Sequence, residues 1–235
     1  MVQAPQRTAL SGPTLVRLLA RVAQAEVAEP RRSLSDRLSD WLGWTDAITL
    51  SSALNAAPVA SGPARAADGD AQAAYERVRA SLTRAIAATT RVPSPRARAD
   101  AHAAEPPPDY ADWRQRYQSL QQTMDSDVGD LRQRLRVMLA ATTPAMAKLA
   151  TVDAVMERAL GERERSLLAS VPTLLGAHFG RLRDAAQQTN AGDPAGPAAG
   201  AWLSAFADDM RSVLLAELDV RFQPVDGLFA ALRTR

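Results

Sequence analysis

The chain has 235 residues, 46% of them hydrophobic but only 5% aromatic, with a formal net charge of +2 and no cysteine. That length holds one large domain or two small ones, and a single domain of this size withdraws roughly 70% of its unfolded surface from water. The missing cysteines exclude disulfides, thiolate metal ligands, a cysteine nucleophile and thiol redox chemistry, while scarce aromatics and abundant alanine favour helices over a sheet sandwich.

Of the 28 basic residues only Lys148 is a lysine. We ascribe this arginine bias first to codon composition and second to anion binding. Arg7, Arg17 and Arg21 interrupt the N-terminal region, and the longest uncharged run, 47–64, contains Asn55, Pro58 and Pro63. No direct membrane insertion is expected, and the expected location is the cytoplasm.

In chain order, Ser11 as a cap and Pro13 in the first turn open a helix over about 12–27 carrying Leu15, Leu18, Leu19 and Val22. Pro30 closes it. Ser33 with Asp36 then gives a capping-box-like start to the face Leu34, Leu38, Trp41 and Leu42, which ends at Gly43. Thr45 and Asp46 restart the chain into Ile48, Leu50 and Leu54. Residues 1–56 therefore read as a small N-terminal module of three short helices packed around Trp41 and Trp44, the two candidate partner contacts.

Residues 57–69 are Ala, Pro, Ser and Gly with almost no large apolar side chain, and are expected to be a disordered linker. An amphipathic helix follows over 70–90 on Tyr75, Val78, Leu82 and Ile86. A second, Pro-rich linker covers 91–108 and includes Pro93, Pro95 and the run Pro106 to Pro108. Two linkers in one chain predict separable pieces.

The most regular pattern is Trp113, Tyr117, Leu120, Met124, Val128, Leu131, Leu135 and Met138, stepping by three and four, which predicts a long helix over 109–141. It contains a stutter and suits a bundle or a short, irregular coiled coil. Leu131 is expected in the seam and Arg132 outside it. Pro144 opens the next helix; Leu149, Val152, Met156 and Leu160 give its apolar face, which the charged stretch 161–165 interrupts and Leu167 to Phe179 resume, with Pro172 as kink or restart. After a Gly- and Pro-rich loop, Trp202 to Phe222 form a wide stripe, and Pro224 is expected to begin a separate terminal turn or helix. No strand pattern appears. The predicted class is all-α: an N-terminal helical module and a C-terminal antiparallel helical bundle over 109–235, joined by disordered linkers.

Candidate chemistry is sparse. His102 lies in the Pro-rich linker and His178 on an apolar face, with neither at ligand spacing from a second strong ligand. There is no phosphate-binding Gly-Lys-Ser/Thr loop and no Gly-x-Ser-x-Gly elbow. Asp125 with Asp127, Asp208 with Asp209, and the run Glu162 to Arg165 read as solvated helix surface. The one charge feature above background is Arg77, Arg79, Arg84, Arg91, Arg96 and Arg98, a tract without acidic residues that could bind phosphates or another acidic partner. No catalytic residue, metal ligand or cofactor is expected.

The blocks SLSDRLSDWLGWTDAITLSSAL, from Ser33 to Leu54, and LLAELDVRFQPVDGLFAAL, from Leu214 to Leu232, resemble an uncharacterised family of high-GC proteobacterial proteins, a domain of unknown function. The resemblance supplies no site residue. It implies an association with membrane proteins similar to flagellar-type stators and with peptidoglycan binders, some linked with phage defence. The reading is a non-enzymatic helical interaction or scaffold protein with a protein partner and with homo-oligomerisation left open. One alternative is a nucleic-acid-associated protein using the 77–98 tract; another is a cytoplasmic accessory subunit of a stator-like assembly, possible in phage defence.

Overall fold

The computed structural model describes residues 13–25, 34–55, 67–92, 109–189 and 200–234. Among them there are eight helices and no strand: α1 (Thr14–Ala23), α2 (Leu34–Trp41), α3 (Trp44–Asn55), α4 (Ala67–Thr89), α5 (Tyr110–Ala140), α6 (Pro144–Leu168), α7 (Val171–Thr189) and α8 (Ala201–Arg233). Local chemistry sets several boundaries. Asp109 caps α5 by accepting from the Ala111 amide at 3.2 Å, and Thr143 caps α6 by accepting from Met146 at 3.2 Å, with Pro144 in the first turn. Three residues turn α5 back into α6.

The core runs along α5 and α8. In α5 the stripe Trp113, Tyr117, Leu120, Met124, Val128, Leu131 and Leu135 is buried throughout, and it ends on Leu139 rather than the expected Met138, which is only partly buried. Helices α4, α6, α7 and α8 of the same chain cover α5, so the stutter serves a globular bundle. At one end, Tyr110, Trp113, Phe179, Trp202 and Phe206 form an aromatic cluster with ring centroids 5.0–6.3 Å apart. There α7 approaches so closely that a Cβ on Gly176 would lie 2.7 Å from Tyr110 Cε1. The Tyr110 hydroxyl donates to the Pro172 carbonyl, and burial pushes this phenol up to about 12.

Four sequence expectations need correction. Helix α4 begins at Ala67, three residues inside the segment assigned to the first linker. Nor is it a separate piece: Ala71, Ala74, Leu82 and Ile86 are buried in the same core cluster as α5 and α8. Tyr75 stacks on Phe229 at 5.0 Å and meets Phe222 edge-on at 5.5 Å. Its narrow apolar face is stabilised only when those neighbours cover it.

The N-terminal helices do not pack around Trp41 and Trp44. Helix α1 lies against α7 and α8, with Leu15 and Val22 in the main core, whereas α2 and α3 lie against α6. The available apolar surface of the long helices outcompetes what three short helices offer one another.

Finally, α8 continues through Pro224 instead of breaking there. Phe222 before it and Val225, Leu228 and Leu232 after it are all buried, and burial of that stripe on both sides offsets the one backbone hydrogen bond a proline removes. Ser11, Ser33, most of both linkers and the loop at 190–199 lie outside the described residues. No helix among the described residues is long and apolar enough to cross a membrane.

Candidate functional site

Beside its apolar stripe α5 carries a second row, Gln121, Asp125, Arg132 and Arg136, displaced by one helical position, and Tyr117 of the stripe joins it through its hydroxyl. Helix α6 brings Asp153, Glu157 and Glu164, and α8 brings Glu217 and Arg221, all at spacings of three, four or seven that keep one face. The three rows meet between α5, α6 and α8 in a charged network.

At its centre Glu217 is 0% exposed. Its Oε2 accepts from the Tyr117 hydroxyl at 2.6 Å, and Gln121 Nε2 donates to both oxygens at 3.0 and 3.1 Å. Arg221 donates to Oε1 from Nε at 3.1 Å and from Nη2 at 2.9 Å, while its Nη1 reaches Asp125 Oδ1 at 3.0 Å. Burial, and then the neighbouring Glu217 charge, raise the Tyr117 phenol far above its ordinary value, so it remains a neutral donor.

Two turns along α5, Arg132 forms a two-pronged pair with Asp153 at 2.9 and 2.7 Å, and Arg136 donates to Glu157 at 2.6 Å. Among the described residues Arg136 Nε is buried without a hydrogen-bond partner.

A cleft of about 280 Å³ opens beside this network, with Glu164, Arg165, Gly129, Gly161 and Pro224 among its lining residues. Glu164 is half-buried, and burial raises its carboxyl pKa against the opposing pull of Arg221 and then Arg132. A second tie joins α1, α7 and α8: Asp209 faces His178 Nε2 at 2.8 Å and Arg21 Nη2 at 2.8 Å.

These placements revise the sequence reading. Asp209 and Glu164 are half-buried against neighbouring helices rather than solvated, whereas Asp125 stays exposed as expected, at 47%, while accepting from Arg221. Arg132 is not an exposed neighbour of Leu131 but is held by Asp153. The stretch 161–165 is helical and mostly exposed, as expected for solvated helix surface, with Arg163 over the Trp41 ring at 5.5 Å.

The arginine tract divides. Arg79 is spent on Asp219 at 2.6 Å, on the Tyr75 hydroxyl at 3.3 Å and on the Phe222 face at 5.0 Å. Arg77 and Arg84 are exposed and share a face of α4 seven residues apart, Arg91 is exposed two residues past the helix end, and Arg96 and Arg98 lie outside the described residues. The two tryptophans also part. Trp41 is half-buried beneath Arg163, whereas Trp44 is 81% exposed, with Ile48 one turn later at 50%.

The network escaped sequence reading because each helix was searched alone for paired ligands, and the pairs form between helices. The signal was present as ionisable residues repeating at three and four beside an apolar stripe. No curated protein and no solved structure matches the chain. The sequence matches over residues 1–234, and the chain belongs to the family described as "Protein of unknown function (DUF3348)".

Proposed function

We propose that this chain is a non-enzymatic helical interaction protein that presents the outer face of α3 to a protein partner. One observation carries the reading: Trp44 is 81% exposed and Ile48 is 50% exposed, and they lie opposite the side of α3 that is turned inward. That inner side is Asp46, Thr49, Leu50 and Ala53, which are buried or half-buried where α3 meets α6. An indole on a rigid helix offers a large contact area at little entropic cost, and tryptophan is enriched among residues that dominate interface energies.

The charged groups support the same reading, because those of the network hold helices to one another. The test is capture from the source cells with wild-type and Trp44→Ser baits of equal thermal stability. A protein retained by the wild type and absent from the variant supports the reading. Identical capture by both removes it.

A second reading rests on Arg77 and Arg84, exposed on α4, with Arg91 just past its end, as contacts for an acidic surface or nucleic acid. It requires binding that weakens steeply with salt and that survives Trp44→Ser.

A further inference from the structure

Two buried residues stand apart from the core. Ala53 on α3 and Val155 on α6 are both buried, yet neither belongs to the common core cluster. Val155 lies two positions from Asp153 and two from Glu157, both of which are held by arginines of α5, so it points about 200° round α6 from them. The helices packed on that other side are α2 and α3. Val155 is therefore dry because α3 covers it, and Val152 and Ala159, one turn either way, are half-buried along the same strip.

What holds α3 down is slight. No described residue of α2 or α3 belongs to the common core or packs against it, whereas α1 contributes Leu15 and Val22 and α4 contributes Leu82 and Ile86. Among the described side chains of α2 and α3 only Ala53 is buried, and an alanine withdraws little apolar area from water.

Polar contacts do not make up the difference. Thr49 donates to the Thr45 carbonyl and Asn55 to the Ser51 hydroxyl, so both stay within α3, while Arg21 with Asp209 ties α1 to α8 and Arg79 with Asp219 ties α4 to α8. Arg163, above the half-buried Trp41 ring, is itself exposed, and a cation over an aromatic face contributes least where solvent reaches it.

We propose that α2 and α3, joined through Leu42 and Gly43, form a clip that opens from α6 as one unit while the rest of the fold stays packed. Opening uncovers the strip Val152, Val155 and Ala159. Helix α6 stays in place, since its opposite side is held to α5 by Arg132 with Asp153 and by Arg136 with Glu157. Segments with few buried apolar contacts open at free energies well below that of the whole fold. The clip stands whether or not the outer face of α3 binds a partner.

Because its opening exposes little surface, it depends weakly on urea, and global unfolding overtakes it as urea rises, leaving a single equilibrium transition. Hydrogen exchange of the full chain, read by mass spectrometry at urea concentrations below that transition, is therefore the test. Wild type, Val155→Ala and Ile86→Ala are compared. In the wild type α3 is expected to be protected, but at least about a hundredfold less than α5, and with little dependence on urea.

Val155→Ala deletes two buried methyl groups and is expected to speed exchange in α3 about tenfold while α5 and α8 keep their protection. Ile86→Ala, in the common core, is expected to do the reverse: faster exchange in α5 and α8, with α3 unchanged at low urea. Protection of α3 equal to that of α5, no protection of α3 in the wild type, or either substitution shifting α3, α5 and α8 alike overturns the proposal.

Discussion

Replacing Glu217 by glutamine keeps the shape of the side chain and removes its charge and one acceptor oxygen, which makes it the sharpest probe of how α5 and α8 are joined. The native carboxylate receives Arg221 on Oε1, Tyr117 on Oε2 and Gln121 on both. A glutamine turned with its amide nitrogen toward Arg221 sets donor against donor. Turned the other way, it faces the Tyr117 hydroxyl and the Gln121 amide with a donor.

In either orientation Arg221, whose side chain is 7% exposed, retains only Asp125 at 3.0 Å as a charged partner. Removing one member of a buried pair costs about 3–5 kcal/mol, and a hydrogen bond to a charged group contributes about 1.5–3 kcal/mol. With one oxygen and Asp125 remaining, we expect a loss of about 2–4 kcal/mol. At about 2–4 °C per kcal/mol for domains of this size, the melting temperature falls by roughly 4–16 °C.

Urea unfolding followed by circular dichroism measures the loss, and a double-mutant cycle with Tyr117→Phe locates it, with an expected coupling of about 1–2 kcal/mol. A change below about 0.5 kcal/mol, the level of an ordinary surface substitution, or strict additivity with Tyr117→Phe, would refute the central role of Glu217. The expectation concerns one-sided removal, because replacing a whole buried charge network by apolar residues is often neutral.

Ile86→Ala is expected to destabilise the whole chain by about 2–5 kcal/mol in one cooperative transition, since Ile86 is 0% exposed in the common core; a second, separate transition would restore α4 as an independent piece. Gly129→Ala is expected to raise stability by about 0.5–1 kcal/mol, because its added methyl group meets open space, whereas Gly176→Ala is expected to lower it through collision with the Tyr110 ring. Differential scanning calorimetry of this pair checks the helix packing at both positions, and equal shifts would contradict it.

Tyr75, Tyr110 and Tyr117 all have raised pKa values, Tyr110 at about 12. The native state therefore holds phenolic protons that the unfolded state releases near pH 10, so stability is full below that pH and falls as pH rises above it. Urea midpoints between pH 9 and 12 should decline at up to about 1.4 kcal/mol per pH unit for each phenol fully retained, and a flat profile would be inconsistent with their burial.

The helical class and the ends of α5 were readable because Trp113 to Leu135 repeats at three and four over many turns, with the run Pro106 to Pro108 and Pro144 as plain boundary signals. What the sequence concealed was assembly. Nothing local tells Leu15 or Ile86 which helix covers it, and the composition on either side of 70–90 suggested separation where burial brings the helix into the core. Pro224 was misread because the local rule breaks a helix there, while the stripe from Phe222 to Leu232 is satisfied only by continuing it.

The charged network was hidden for a related reason: Asp125 and Glu217 are 92 positions apart, so their shared partner Arg221 emerges only after α5 and α8 are packed. Trp44 stands out by residue type alone as a candidate contact, but its exposure and its separation from Trp41 depend on which side of α3 meets α6.

The network charges tie helices together, and the outer face of α3 is the surface proposed to meet a partner. Placing a photo-crosslinking amino acid at Ile48 in the source cells tests this most directly, with Gln188, an exposed position on α7, as the reference. The expected result is one discrete, heavier adduct from position 48 that disappears with Trp44→Ser and is absent from position 188. No adduct at 48, or the same adduct from both positions, would contradict it.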